Sequence, residues 1–289
     1  MQPSHDERRG SLRGVVAVVT GASRGVGKGI ALGLGEAGAT VVVTGRSTGA
    51  AGTSSLAGTI DETAREVTAL GGEGHAIRCD HADDADVERL FAAVGERFGR
   101  LDVLVNNVFA IPSFPLARPF WELPLEAWDA MHRVGLRSHY VASGFAVRAM
   151  LAMRDAEARL AGARGLVVNV SSWAGVHYAV NVPYSVGKGA LDRFSRDGAR
   201  ELKPHRVAMV SLVPGIVKTE RVLADVDGMG WDLSNAESPL FSGRAVAALA
   251  RDASLLARTG KALVVAELAP ELDFVDEDGG RPRSLRRTS

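Results

Sequence analysis

The sequence predicts an α/β protein with one doubly wound domain, in which helices cover both faces of a parallel sheet of about seven strands. Short valine-rich runs alternate along the 289 residues with longer stretches rich in alanine, leucine and arginine. Near-continuous apolar runs of this kind are typical of parallel strands buried on both faces. A glycine-rich turn at residues 20–27 follows the first valine run, where nucleotide-binding folds of this class hold a phosphate.

Each element follows from this alternation. Asp61 and Glu62 favour a helix start nearby, because acidic side chains stabilise the N-terminal end of the helix dipole. The Gly/Ser/Thr/Ala-rich stretch 47–58 predicts a loop. The predicted strands cover residues 15–20, 40–44, 74–79, 103–106, 165–171, 206–213 and 261–267. The predicted helices cover residues 28–37, 59–70, 84–98, 128–153 and 183–202.

One domain is expected to contain all of these elements, at residues 13–270, with a substrate lid at about 220–241. Residues 1–12 are polar and lack the apolar segment of a secretion signal, so they predict a flexible tail. Residues 271–289 are charged and rich in glycine, proline and arginine, and predict a second tail or surface strap.

Charge and cysteine content narrow the class of protein. The 34 basic and 34 acidic residues balance, so neither nucleic acid nor an anionic membrane is an expected partner. Cys79 is the only cysteine, which rules out an intrachain disulfide and predicts a reducing, cytoplasmic setting. His132 and His139 lie about two helical turns apart, but further ligands are not placed near them, so no metal site is expected.

The turn at residues 20–27 predicts a cradle for a pyrophosphate. Its glycines allow a tight turn and a close approach of the backbone to a phosphate at the helix N-terminus. The alternative is a glycine-rich turn without a ligand. The predicted contacts in this turn are Gly21, Ser23, Arg24, Gly25, Val26 and Gly27.

The end of the second predicted strand favours NADPH over NADH. Proteins that bind NAD usually place an acidic residue there for the ribose 2′-hydroxyl, but Gly45 and Arg46 stand at this position. A carboxylate would repel a 2′-phosphate, whereas Arg46 and Arg24 would donate to it. The alternative is that Arg46 is a solvated surface cation. Asp80, followed by His81, is placed to accept from an adenine amino group, or else to cap the next helix.

Tyr184 and Lys188 are the strongest candidates for chemistry. They lie four residues apart in a predicted helix and therefore share one face. A lysine cation close to a tyrosine hydroxyl lowers a pKa that is ordinarily near 10. Ser172 precedes them by a short loop and would orient a substrate oxygen. Taken alone, the pair is more often a half-buried tyrosine beside a solvated lysine.

Five groups of residues stand in an order that resembles the short-chain dehydrogenase/reductase family. They are the turn at 20–27, Asn106-Asn107, Ser172, Tyr184-x-x-x-Lys188 and Pro214-Gly215, and the resemblance runs from about residue 14 to residue 260. Residues 120–122, 134–137, 181–188, 214–220 and 276–282 resemble the branch named dehydrogenase/reductase member 1. The resemblance implies a single-domain Rossmann fold and a carbonyl reductase with a nicotinamide cofactor.

The resemblance also implies a role for each matching residue. Tyr184 would be the general acid or base, and Lys188 would lower its pKa and bind the nicotinamide ribose. Ser172 would donate to the substrate oxygen, and Asn106 would lie beside the cofactor. The remaining implied cofactor contacts are Pro214, Gly215, Ile216 and Thr219.

Two departures from the family pattern are visible. Val108 and Phe109 stand where the family usually has alanine and glycine, so this loop is expected to take a different path. Gly135 stands where many members have an asparagine that holds a water linking the lysine to solvent. A water on the backbone carbonyl could replace it, and no fourth catalytic residue is assigned.

An apolar pocket is predicted over Ser172 and Tyr184, because the surrounding side chains are mostly apolar or aromatic and few polar groups are available. Any of these side chains could instead be a core or subunit contact. The candidate wall residues are Phe109, Phe114, Trp173, His177, Tyr178, Val222 and Trp231.

We therefore expect an NADPH-dependent oxidoreductase that transfers hydride between nicotinamide and the carbonyl or alcohol of a hydrophobic small molecule. A nucleotide-binding regulatory protein that has lost catalysis is one alternative. Epimerisation or dehydration on the same scaffold is another. The resemblance further implies a homodimer or homotetramer.

Overall fold

A computed structural model of the chain describes residues 11–49, 56–110, 118–154, 158–226 and 230–287. Most of the predicted N-terminal tail lies outside these ranges, as do part of the loop predicted at 47–58, three lid residues and the candidate wall residue Phe114. None of the helices in the described ranges is long and apolar enough to cross a membrane.

The described strands form one seven-stranded sheet in which all neighbouring strands are parallel. The strands are β1 Val16–Thr20, β2 Thr40–Gly45, β3 Glu73–Arg78, β4 Val103–Asn106, β5 Gly165–Val170, β6 Val207–Val213 and β7 Ala262–Val264. Their order in the sheet is β3-β2-β1-β4-β5-β6-β7, so the predicted fold class is confirmed. Chain order reverses between β1 and β4, which creates the crevice where nucleotides bind in open α/β sheets.

Helices cover both faces of this sheet and enclose two hydrophobic cores. The α-helices are α1 Gly25–Glu36, α2 Ile60–Ala69, α3 Asp84–Phe98, α4 Leu125–His132, α5 Ser138–Ala152, α6 Val182–Leu202, α7 Glu220–Ala224, α8 Pro239–Arg251, α9 Leu255–Arg258 and α10 Val265–Leu272. The first core includes residues of α1, α2, α8 and α10, and the second includes residues of α3, α5 and α6.

Side-chain caps fix where several of these helices begin. Thr59 and Glu62 form a reciprocal capping box at the start of α2. Asp83 caps α3 by accepting from the backbone of Ala85 and Asp86. The Asn181 side chain accepts from Tyr184 N at 2.9 Å and so fixes the first turn of α6, which carries the candidate catalytic pair.

Three element predictions need correction. The predicted strand 261–267 is a strand only to Val264, and α10 follows at once, because a short apolar run does not distinguish a strand from a buried helix. The predicted helix 128–153 begins at Leu125 and contains a π-turn at Arg133–Arg137. The prediction missed α8 entirely, although Ser238 as cap and Pro239 in the first turn are start signals.

Candidate active site

The turn at residues 20–27 has the shape that a phosphate cradle requires. Gly21 and Gly25 have φ angles of 65° and 59°, in the region that favours glycine. A Cβ on Gly27 would lie 2.3 Å from Asn107 Nδ2, which donates to the carbonyls of Thr20 and Gly21 at 2.9 and 3.0 Å. Asn107 thus fixes the glycine turn at the N-terminus of α1, where the glycines have no side chain that would block the approach of a pyrophosphate.

A carboxylate from a distant segment lies at this N-terminus. Glu220 Oε2 accepts a hydrogen bond from Gly25 N at 2.8 Å. Thr219 packs beside it, since its Cγ2 would lie 3.4 Å from a Cβ on Gly25. An anionic group therefore already fits the partial positive charge of this helix end. Of the other predicted contacts here, Ser23 is buried and Val26 packs on the first core.

Both predicted cations lie near the end of β2. Arg24 donates from Nη2 to Gly58 O at 2.7 Å and to Ser47 Oγ at 3.3 Å. The Arg46 side chain is more than half exposed, and its Nη1 is 3.9 Å from Asp80 Oδ2. A pair this open and this long contributes little to stability. The Arg46 guanidinium is therefore more available to bind a phosphate than the Arg24 guanidinium.

The end of β3 is organised by short polar contacts. Asp80 Oδ1 accepts from Ala82 N at 3.0 Å, and Asp83, not Asp80, caps α3. His81 is buried, with Nε2 at 3.5 Å from Thr44 Oγ1. Burial lowers the pKa of His81 to about 4, so this predicted cofactor contact is neutral at physiological pH and adds no positive charge.

The two asparagines after β4 have different roles. The Asn106 side chain is fully buried and donates to Asn169 Oδ1 and Ser143 Oγ, both at 2.9 Å. These bonds hold its amide nitrogen inside the protein, and its predicted contact with a cofactor stays a prediction. Asn107 ties β4 to the glycine turn, a role that the sequence reasoning missed although Asn107 belongs to the quoted motif.

The structure brings Ser172, Tyr184 and Lys188 together. Tyr184 and Lys188 lie one turn apart on α6, and Ser172 follows β5. The Ser172 hydroxyl lies close enough to the Tyr184 phenol to lower its pKa, and Ser172 Oγ also accepts from Ala174 N at 3.1 Å. This backbone contact helps to fix the serine hydroxyl beside the phenol.

The charges of the catalytic pair differ from the prediction. Lys188 is 7% exposed, its Nζ donates to Val170 O at 2.8 Å, and burial lowers its pKa to about 8. Burial also raises the pKa of Tyr184, and the bond with Ser172 offsets this only in part. The predicted lowering of the Tyr184 pKa by Lys188 is wrong here. The ammonium lies 5.7 Å from the centre of the Tyr184 ring and bonds to a carbonyl.

The predicted substrate residues lie in three places. Phe109 lies at the catalytic pair, with its ring edge-on to Tyr184 at a centroid distance of 5.5 Å. Trp173 and His177 stack at 4.6 Å on the loop between β5 and α6, and Tyr178 on the same loop is 72% exposed. Trp231 is half-buried near α7. Their contact with a substrate stays a prediction.

The histidines of the long helical region are held by backbone carbonyls. His132 Nδ1 is 2.8 Å from Trp128 O, and His139 Nε2 is 2.9 Å from Val108 O. Burial, with Lys188 nearby, lowers the pKa of His139 to about 3. No cluster of three or more His, Cys, Asp or Glu side chains suited to a metal occurs in the described part of the chain.

The predicted cofactor contacts that follow β6 pack against Glu237, a residue that the sequence pattern did not single out. Glu237 pairs through its backbone with Ile216 O and Lys218 N, at 2.7 and 2.9 Å. Its carboxyl lies beneath Gly215, where a Cβ would be 2.9 Å from Oε1. Glu237 is 1% exposed, and burial raises its pKa to about 8. The strip that includes Pro214, Gly215 and Ile216 is therefore supported by a neutral carboxylic acid.

Replacing Glu237 with glutamine should make the protein more stable above pH 8. Between the ordinary pKa of 4.5 and the folded value of about 8, only the folded chain holds this proton, so stability falls as the pH rises through this window. The effect is on the order of a few kcal/mol at alkaline pH. Thermal unfolding of both proteins from pH 5 to pH 9 measures it.

Glutamine reproduces the shape and hydrogen bonding of the neutral acid, so the two unfolding curves should agree near pH 4–5 and separate above it. Glu96→Gln, at an exposed position of α3, is the matched control and should leave the pH dependence unchanged. Parallel curves for wild type and Glu237→Gln would contradict the assignment of a neutral Glu237.

Comparisons with known proteins agree with this geometry. Residues 15–226 match the family model of short chain dehydrogenases. The chain is 43% identical over 283 residues to dehydrogenase/reductase SDR family member 1 of Mus musculus, covering 93% of this chain and 85% of that protein. This similarity confirms the family and branch that the motifs indicated.

Two solved structures share the fold and differ in cofactor. A structure from Beutenbergia cavernae with bound NADP is 29% identical, with a TM-score of 0.73, and covers 88% of this chain and 96% of its own. A 3-oxoacyl-[acyl-carrier protein] reductase from Brucella melitensis in complex with NAD is 27% identical, also with a TM-score of 0.73, over 87% and 95%. Relatives with this fold thus bind either nucleotide.

Proposed function

The chain belongs to the short-chain dehydrogenase/reductase family of nicotinamide-dependent oxidoreductases, and we propose that it is an NADPH-dependent reductase of hydrophobic carbonyl compounds. The observation that carries the proposal is the joining of Ser172, Tyr184 and Lys188 at the edge of the sheet where the glycine turn opens. A bound nicotinamide would supply the hydride, and the protein would supply the proton and the orientation.

The residues at the cofactor side fit a dinucleotide. The glycine turn and the N-terminus of α1 would hold the pyrophosphate, and the strip containing Pro214 and Gly215 would line the nicotinamide side. Arg46, with Arg24 and Ser47 beside it, would hold a 2′-phosphate. The absence of an acidic residue at Gly45 supports NADPH over NADH.

Tyr184 is suited to act as the general acid. Because burial raises its pKa, the phenol is protonated at neutral pH and has a proton to give to a carbonyl oxygen. Ser172, held beside it, would donate a hydrogen bond to the same oxygen and stabilise the charge that develops there. Lys188 would keep a positive charge close to the developing phenolate.

A panel of hydrophobic ketones, aldehydes and quinones, assayed with NADPH and NADH in parallel, tests the proposal. Consumption of NADPH with apolar carbonyls in preference to small polar ones is the expected result. Tight NADPH binding without turnover of any compound would favour a regulatory protein. Product formation without net loss of NADPH would favour epimerisation or dehydration.

Glu220→Gln should tighten NADPH binding. The wild-type carboxylate accepts from Gly25 N and places a negative charge where the pyrophosphate would bind. Removal of this charge should lower the Kd for NADPH by up to about tenfold, the size of a charge effect at a helix N-terminus. Fluorescence titration or calorimetry measures it. Glu88→Gln, at an exposed position of α3, is the control, and an unchanged or weaker Kd for Glu220→Gln would contradict the prediction.

A further inference from the structure

The two departures from the family pattern meet in space. A Cβ on Gly135 would lie 2.4 and 2.6 Å from Cδ2 and Cε2 of Phe109. Real Cβ atoms do not approach ring carbons this closely, so any other residue at 135 would force the ring to move. The ring of Phe109 thus fills the space that a side chain on the helix would otherwise take.

The other sides of this ring face the catalytic pair. Lys188 Nζ lies 5.2 Å from the ring centre of Phe109, a cation–π distance. Tyr184 meets the same ring edge-on, with an interplanar angle of 86°. Phe109 therefore contacts both members of the pair at once, and the same ring meets the backbone at Gly135.

The backbone of that region is also unusual. Gly135 lies in the π-turn Arg133–Arg137, between α4 and α5. Single π-turns widen a helix locally and occur often at functional sites. The hydroxyl of Ser138 donates to Val134 O at 2.6 Å, so this carbonyl of the widened turn is already engaged. The sequence suggested that a water on a backbone carbonyl could replace the missing asparagine at position 135. The Phe109 ring lies against this turn and occupies space that such a water would need.

We propose that Phe109 is a positioning residue for Lys188 and Tyr184, which its ring clamps and shields from water, and that Gly135 is glycine because this ring needs its space. The inference deepens the proposed function and rests on it for its catalytic meaning. It assigns to one aromatic ring the place where the resemblance implies an asparagine and its water.

The sign of the effect follows from burial. An apolar ring beside a phenol and an ammonium favours the neutral form of both, whereas the ring quadrupole favours the charged lysine. Burial is the largest cause of both observed shifts, up for the pKa of Tyr184 and down for the pKa of Lys188. Removal of the ring should therefore lower the pKa of Tyr184 and raise that of Lys188.

Titration of Tyr184 tests this without cofactor or substrate. The chain has three tyrosines, and the other two, Tyr140 and Tyr178, are exposed. In a Tyr140→Phe/Tyr178→Phe background, the absorbance of tyrosinate reports Tyr184 alone. Phe109→Ala should lower the pKa of Tyr184 by about one unit, whereas Phe109→Leu, which keeps apolar bulk, should stay close to the parent.

A double-mutant cycle tests the role of Gly135. Gly135→Ala should displace the ring and shift the Tyr184 titration in the same direction as Phe109→Ala. In the Phe109→Ala background it should add little, because the space is then free. Gly144→Ala is the matched control on α5, since the nearest atom to its Cβ would be 3.9 Å away, and it should shift nothing.

Kinetics provides the second measurement. Phe109→Ala should lower kcat about tenfold with little change in the Kd for NADPH, and the alkaline limb of its pH profile should move to lower pH. An unchanged titration in Phe109→Ala, or equal effects of Phe109→Ala and Phe109→Leu, would overturn the proposal. If Gly135→Ala does not fold, the two Phe109 variants alone test the proposal. If wild type turns over no carbonyl, the proposed function fails, but the titration still tests whether Phe109 controls the pKa of Tyr184.

Discussion

Tyr184→Phe is expected to lower kcat for carbonyl reduction by about a thousandfold or more and to leave the Kd for NADPH within about twofold. The substitution removes only the hydroxyl, which is the proton donor, and general acid catalysis is worth about 10²–10⁴ in rate. The ring that packs edge-on against Phe109 remains. Single-turnover reduction, followed by NADPH absorbance, separates the loss of chemistry from any change in binding.

The matched control is Tyr140→Phe. Tyr140 is exposed on α5 and packs at a tilt against Phe194, and no catalytic role is assigned to it, so the loss of its hydroxyl should not change kcat. Ser172→Ala should reduce kcat less than Tyr184→Phe, because it removes one hydrogen bond to the substrate oxygen and leaves the proton donor. Turnover by Tyr184→Phe at the wild-type rate would refute the assignment of Tyr184 as general acid.

The grouping of the candidate catalytic residues was predictable because their relation is local or set by the sheet. Tyr184 and Lys188 share a helix face by spacing alone. Ser172 joins them because β5 ends one loop before α6, and the ends of parallel strands meet at one edge. Arg46 was predictable for the same reason, as the residue after β2.

What the sequence did not reveal depends on contacts between distant segments. Phe109 and Gly135 are separate departures in the sequence, and only packing shows that Gly135 makes room for the Phe109 ring. The helix α8 has local start signals, but its packing partner is far away in sequence. A Cβ on Gly33 of α1 would lie 2.3 Å from the backbone of Gly243 in α8, so both glycines serve a close helix contact that no local pattern shows.

The direction of a pKa shift was also beyond the sequence. The spacing of Tyr184 and Lys188 gave a correct neighbourhood but the wrong sign for the tyrosine, because the sign depends on burial. Glu237 shows the same limit, since its backbone pairing with Ile216 and Lys218 carries its carboxyl into a buried site beneath Gly215. The sequence pattern does not show that this carboxyl is buried, and burial is what raises its pKa.

Arg46→Ala is expected to weaken NADPH binding about ten- to a hundredfold and to leave NADH binding nearly unchanged. A charge-assisted hydrogen bond is worth about 1.5–3 kcal/mol, and only NADPH carries the 2′-phosphate that would receive it. The Asp80 carboxylate, 3.9 Å from Arg46 Nη1, competes weakly for the guanidinium, because an exposed pair of this length contributes little. Calorimetry with both nucleotides measures the change in preference.

Arg24→Ala should behave differently, which separates the two cations. Its guanidinium donates to the carbonyls of Ala57 and Gly58 at 2.9 and 2.7 Å, so its loss should loosen the loop beside the glycine turn and weaken the binding of both nucleotides.

Raised salt should reduce the preference of wild type for NADPH over NADH and leave that of Arg46→Ala unchanged, because salt screens exposed charges. Arg193→Ala, which loses only an exposed pair on α6, should preserve the preference. An unchanged ratio of the two Kd values in Arg46→Ala would place the discrimination between NADPH and NADH elsewhere.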